Sequence, residues 1–201
     1  MIIRSKNVIT ERKIKSEKPS VMVFTVGHST RSIDEFVRLL KAHDIRRLVD
    51  IHTIPRSRHN PQFNRETLSK FLRNRRINYR HMKDLGGFRH ARADSLNKGW
   101  HNASFRGFAD YMQTPEFEEA LKKLIDLAAH QRTTIMCAEA VPWRCHRSLI
   151  SDALAVRGIE VHDIFSDKNV KLHIMTSMAR VRGGKITYPE SSKEMLKRPG
   201  R

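Results

Sequence analysis

Five times along the chain a short apolar run gives way to a segment with helical spacing, and this alternation limits the fold more than any single motif. The runs are Val21 to Val26 (closed by Gly27), Arg47 to Ile51, Ile77 to Met82, Thr133 to Cys137 and Ile159 to Ile164. Short, nearly continuous apolar runs suit strands buried on both faces. Between them, Ser32 and Glu35 have capping-box spacing ahead of Ile33, Phe36, Val37, Leu39 and Leu40. Asn64 is expected to cap a second helix carrying Leu68, Phe71 and Leu72. A helical stretch from Phe108 to His130 carries Thr114-Pro115, a helix-start pair, and His146 to Arg157 ends at Gly158. Alternation of this kind predicts a single α/β domain, with a mostly parallel five-stranded sheet flanked by helices. Five strands fall short of a closed βα barrel, so the sheet should be open, with right-handed crossovers. Val170 to Met175 could add an edge strand.

The ends of the chain have a different character. Residues 1–20 are basic and lack a sustained period, and from 179 to 201 the apolar pattern fades again. Both read as flexible basic tails around a domain spanning 21–178. No run approaches the roughly 18 apolar residues of a membrane helix, and the first 20 residues lack the apolar stretch of a secretory signal. With only Cys137 and Cys145, a disulfide scaffold is excluded, and a cytoplasmic location is the expectation.

Parallel α/β sheets bind ligands beyond the carboxyl ends of their strands. Polar residues gather at each predicted end: Gly27-His28-Ser29, then Asp50 and His52 leading to Arg56 and Arg58, then His81 and Lys83, then Cys137 and Glu139, then His162 and Asp163. His28, Asp50, His52, His81, Glu139 and Cys137 are therefore the candidates for acid, base, nucleophile or metal ligand. Residue type alone leaves acid–base work and a divalent metal equally open. The segment from Cys137 to Arg147 runs from a strand through a turn to a helix start, where free N–H groups and the helix dipole favour an anion. Ser29, Arg56, Arg58, Arg144, Cys145, His146 and Arg147 are its candidate phosphate contacts. Glu139 would repel that anion unless Arg58 or Arg147 pairs with it. The Walker spacing is absent, and Arg144 lies one residue too far from Cys137 for a cysteine-phosphatase loop. Each cysteine reads either as an activated thiolate or as a small buried hydrophobe. Cys-x7-Cys-His is not a standard structural-zinc spacing.

Charge points to an anionic partner. Lys and Arg number 39 against 21 Asp and Glu, a net +18. Residues 46–92 hold 13 basic and three acidic residues. Arg73, Arg75, Arg76, Arg80 and Lys83 within that block are candidate nucleic-acid contacts. Phe88, Trp100, Phe105 and Phe108, along the polar stretch 88–107, either stack on bases or plug a local core.

Several motifs follow one another in order: Val26-Gly27-His28-Ser29, Leu48-Val49-Asp50, Pro55-x-Ser57-Arg58, Asn60-Pro61-x-Phe63, Tyr79-x-His81, Leu85-Gly86-Gly87, Met136-Cys137-Ala138-Glu139 and Cys145-His146-Arg147. Together, over about residues 22–165, they resemble the family called domain of unknown function 488. Its second strand usually ends Val-Asp-Val-Arg, and His52 stands where that Arg would be. The resemblance implies a compact cytoplasmic α/β protein with its site at these strand ends, and its general association is with nucleic-acid processing. The expected function is thus a nucleic-acid- or nucleotide-processing enzyme, with phosphoester hydrolysis as the reaction. A non-catalytic nucleic-acid-binding or regulatory module is the alternative.

Overall fold

The computed structural model describes residues 21–190. The expected tail 1–20 and the end of the expected tail 179–201 lie outside those residues. The elements run β1 (Met22–Gly27), α1 (Ile33–Ala42), β2 (Arg47–Asp50), α2 (Arg65–Arg73), β3 (Asn78–His81), α3 (Ala103–Tyr111), α4 (Pro115–His130), β4 (Thr133–Cys137), α5 (Arg147–Val156), β5 (Glu160–Ile164), β6 (Val170–Leu172), β7 (Arg180–Arg182) and β8 (Lys185–Thr187). Short 3-10 turns precede α2, follow β3 and precede α5.

Six strands form one sheet in the order β3-β2-β4-β1-β5-β6. The first five are parallel, as the alternation requires, and β6 is an antiparallel edge strand. Side chains alternate between two cores. Phe24, Val26, Leu48 and Met136 pack with Phe36, Leu40, Leu68 and Leu72 of α1 and α2. Val23, Val49, Ile135 and Cys137 pack with Phe108, Leu121, Leu124 and Leu149 of α3, α4 and α5. Each face is sealed by helices, so the strands are apolar on both sides. Neighbouring β1 and β4 send their following helices, α1 and α5, to opposite faces. That divergence opens a crevice beyond their carboxyl ends, at the topological switch point.

Local signals account for most boundaries. Ser32 and Glu35 form the expected capping box at α1, and Thr114 caps α4 ahead of Pro115. Asn64 differs from expectation. It occupies the α2 cap position, but its Oδ1 accepts from Ser57 N at 2.7 Å instead of capping the helix. Its side chain thus ties down the loop that follows β2.

The stretch 88–107 is ordered around one buried carboxylate. Asp110 accepts from Ser95 Oγ (2.6 Å), Asn97 Nδ2 (2.7 Å) and Arg92 N (2.8 Å). Trp100, Phe105 and Phe108 join the core, whereas Phe88 stays 76% exposed. Of the four aromatics, only Phe88 is free to meet a ligand with most of its ring.

The domain extends past 178. The β7–β8 hairpin and the residues after it pack on the body, with Ile186 and Tyr188 buried. Fading periodicity hid this, because the segment is held by specific polar bonds rather than by an amphipathic stripe. Tyr188 N donates to Asn97 Oδ1 (2.9 Å), and Tyr188 Oη donates to Asp152 (2.9 Å).

Asp152 belongs to a buried ionic network. His173 lies between Asp152 (2.9 Å) and Asp163 (3.2 Å), and Asp163 also accepts from Thr25 Oγ1 (2.6 Å). Burial opposes charge on this ring, but the two carboxylates outweigh it and raise the His173 pKa to about 9. In the unfolded chain the ring titrates near 6.5. A group whose pKa rises on folding stabilises the fold fully below its unfolded value, and that contribution is lost as pH climbs through the folded one. The melting temperature should therefore fall as pH rises from about 6.5 to about 9. His173→Gln should flatten that slope in thermal melts recorded across this range. An unchanged slope in the variant would remove His173 from the explanation.

Candidate functional site

A cleft of about 630 Å³ opens at the β1–β4 switch point. One wall is His52 with the loop after β2, through Arg56, Ser57 and Asn60. A second is the strand-to-helix segment Cys137, Ala138, Glu139, Arg144, Cys145 and His146. Gly87, Phe88 and Phe105 close a third side, and His28 lies at the base beside Phe63.

Strand β1 enters the cleft through a tight backbone crossing. A Cβ on Gly27 would lie 1.8 Å from the Glu139 carbonyl oxygen, so only glycine lets the two segments meet. His28 N and Ser29 N then donate to the Cys137 and Ala138 carbonyls at 2.9 and 2.8 Å. Ser29 adopts φ 51°, which turns the chain away toward α1. The His28 ring stacks on Phe63 at 4.1 Å. Its Nδ1–H donates to Ser29 O at 2.8 Å, leaving the Nε2 lone pair. Burial drives its pKa down to about 4, aided by the neighbouring His52.

Three side chains form a relay behind His52. Tyr79 Oη donates to Asp50 Oδ2 at 2.6 Å, and His52 Nδ1 donates to Asp50 Oδ1 at 2.7 Å. Asp50 is fully buried. Burial alone would favour its neutral form, but the bonds from His52 and Tyr79 more than offset that and hold its pKa below the usual carboxylate value. Tyr79 is pushed up, by burial and by the Asp50 charge, and keeps its proton. With Nδ1 committed as donor, His52 has Nε2 free of protein partners among the described residues, in a residue that lines the cleft.

The cysteines face each other across the strand-to-helix segment. Cys137 Sγ, Cys145 Sγ and a ring nitrogen of His146 all lie within 4.8 Å of one another. The hydrogen bond to Cys145, together with burial, holds the Cys137 thiol well above its ordinary pKa. Burial also opposes ionisation of Cys145, but the Cys137 thiol, His146 and the Arg147 charge prevail and bring it well below.

Several expected site residues have other roles. His81 faces away from the cleft, beside Arg65, Tyr79 and Arg80, and its Nε2–H donates to His52 O at 2.8 Å. Arg147 is not a phosphate fork. It is buried, and its two terminal nitrogens hold the carbonyls of Glu139 (2.5 Å) and Ala140 (3.0 Å). The expected Glu139–Arg pair is absent, since Arg147 bonds the Glu139 backbone and Arg58 lies outside the cleft lining. The Glu139 carboxylate is exposed and has no partner among the described residues. Arg56 and Arg144 do line the cleft. His162 pairs with Glu160, and Asp163 is taken up by the His173 network.

The basic block does not form one surface with the cleft. Arg73, Arg75 and Arg76 precede β3 and sit at its amino end, whereas the cleft lies at the carboxyl ends. At about 3.3 Å per residue, Arg76 is roughly 16 Å along the strand from His81. Arg75 stacks on Phe71 (3.4 Å) and pairs with Asp34 (3.3 Å). Arg80 and Lys83 are exposed near the other end of β3.

Comparison with known families decides the membership. Residues 32–154 match the family described as Domain of unknown function DUF488. The chain belongs to the DUF488 family. Its matched segment runs from the α1 cap to near the end of α5, so it carries the His52 relay, both cysteines and His146. Strand β1 with His28, and the His173 network apart from Asp152, lie outside the matched DUF488 segment. No curated protein and no solved structure matches the chain.

Of the residues singled out by type, His28, His52, Arg56, Cys137, Glu139, Arg144, Cys145 and His146 line the cleft and Asp50 lies behind it, whereas Tyr79, Phe63 and Gly87 were not among them. Tyr79 was visible only as a motif residue, because nothing local tells a strand tyrosine that its hydroxyl meets a buried aspartate on the next strand. The His28 assignment is open to a direct check. Its ring signals in an NMR titration should show a midpoint near 4 and no change between pH 6 and 8. A midpoint near 6.5 would mean that the ring is solvated and not packed on Phe63.

Proposed function

We propose that the cleft is a hydrolytic active site for a phosphoester of a nucleotide or nucleic acid. The observation that carries this reading is the Tyr79–Asp50–His52 relay, which leaves one imidazole nitrogen without a partner among the described residues, in a residue that lines the cleft. In this reading His52 Nε2 takes a proton from water as the water oxygen attacks phosphorus. The phosphorus–oxygen bond to the leaving group breaks, and the imidazolium returns the proton to the departing alkoxide. Asp50 stabilises the imidazolium and fixes its tautomer, and Tyr79 fixes Asp50. Arg56 and Arg144 supply positive charge for the phosphate oxygens, while the unpartnered Glu139 opposes it. Phe88, exposed at the cleft wall, offers a face for a base. The positive charge around β3 adds long-range attraction for a polyanion.

The test is turnover of a panel of phosphate monoesters, phosphodiesters and short oligonucleotides by the full chain. His52→Ala should lower kcat by about 10²–10⁴-fold with KM little changed, the usual loss on removing a general base. Arg144→Ala should raise KM, and Glu139→Gln should lower it. Oligonucleotide affinity should fall steeply as salt rises. Equal turnover by wild type and His52→Ala would overturn the hydrolytic reading. Salt-dependent binding with no turnover would leave the binding module in its place.

A further inference from the structure

We infer that Cys137, Cys145 and His146 form a three-ligand site for a thiophilic divalent cation, zinc by preference, with its fourth position open to the cleft. Three independent features of the geometry carry this. The first is spacing. Zinc bonds of about 2.3 Å to sulfur and 2.0–2.1 Å to imidazole, at tetrahedral angles, place the donor atoms about 3.6–3.8 Å apart. Cys145 Sγ and His146 Nδ1 are 3.7 Å apart, and all three donor atoms fall within 4.8 Å of one another. Only small side-chain adjustments separate the set from a tetrahedral face.

The second feature is the tautomer of His146. Its Nε2 meets the Leu85 carbonyl at 3.0 Å, and a carbonyl can only accept. Nε2 therefore keeps its proton, and Nδ1 is the nitrogen left to give a lone pair to a metal, in place of its contact with Cys145 Sγ. A ligating histidine that donates its far nitrogen to a backbone carbonyl is the usual outer support of a metal site. Gly87 leaves room for this ring, since a Cβ there would lie 2.6 Å from Nδ1.

The third feature is the split between buried and open. Both sulfurs are buried and His146 is half-buried, yet all three residues line the cleft. Three protein ligands with one open side is the pattern of a zinc site that accepts water or substrate oxygen, not of a closed structural site. Two thiolates would balance the dication, so the fourth position is left to water or to a ligand oxygen from the cleft. Sequence spacing concealed the set because Cys137 ends β4 while Cys145 and His146 precede α5, so the intervening turn, not a zinc-finger knuckle, brings them together.

Binding can be read without any substrate, so the inference stands or falls separately from the hydrolytic reading. Cobalt(II) titrated into the full, reduced chain should bind at one equivalent. It should give the visible bands of tetrahedral cobalt and a near-ultraviolet sulfur-to-cobalt transition, both erased by added zinc. Cys137→Ser and Cys145→Ser should each at least halve the sulfur transition and the double variant abolish it, and His146→Ala should weaken binding at least tenfold. Gly87→Ala, which crowds the ring, should also weaken it. Should a cysteine variant fail to fold, wild type gives the same answer through alkylation: zinc should protect both thiols from iodoacetamide at least tenfold. Cobalt bound without a sulfur transition, or thiols alkylated equally fast with and without zinc, would overturn the site. Stoichiometric cobalt binding by a chain that hydrolyses no phosphoester would refute the hydrolysis alone.

Discussion

Arg147 is buried to about 1% exposure, and its guanidinium grips the carbonyls of Glu139 and Ala140 from inside the domain. A buried charge without partners costs several kcal/mol, so the two carbonyls and the cation hold each other in place. The clamp sets the path of residues 138–140. That path lies against Gly27, where no Cβ could fit, and it offers the Cys137 and Ala138 carbonyls to His28 N and Ser29 N. The mouth of the cleft is thus built from backbone that one arginine holds from behind. Removing it would free two carbonyls and shift both the β1 exit and the turn between the cysteines.

The candidate side chains of the cleft stand on the central strands or are braced from them. Asp50 and Cys137 end neighbouring central strands, and Tyr79 reaches across from the next strand out. Each functional side chain is supported by a group that cannot easily move. Tyr79 and Asp50 orient His52, Leu85 O orients His146, and Ser29 O orients His28. The more mobile kind of contact lies at the rim, where Arg56 and Arg144 are exposed and Phe88 projects into solvent. The cleft thus has a braced polar floor under an exposed, charged rim.

The C-terminal segment closes the opposite flank by different physics. It has little apolar periodicity, yet Tyr188, His173 and Thr176 converge on Asp152 in α5, and Asn97 ties Tyr188 to the loop organised by Asp110. Those same links reach the cleft wall at Phe105, through the ordered stretch that precedes α3. Protonation of His173 therefore bears on the stability of the body that carries the site.

Sequence by itself determined the layered α/β fold, because apolar runs of strand length alternating with amphipathic helices can be buried in few other ways. It also placed polar residues at the strand carboxyl ends, where the structure has the candidate cleft, because strand ends are legible once strands are. Family resemblance reached the same region, since His28, Phe63, Gly87, Cys137, Glu139, Cys145 and His146 of its motifs line the cleft. Tertiary structure alone decided what each polar residue does. Arg147 became a clamp because the backbone of 138–140 passes within its reach, and His81 became a brace because its ring meets a carbonyl on the far side. The arginine-rich block divided between two ends of β3, since a strand places residues five apart at widely separated points. Cys137 and Cys145 met His146 through a turn that no spacing rule describes. Pattern and propensity act along the chain and can be read there; partners are chosen across it, by which atoms the packed sheet brings within a few ångströms.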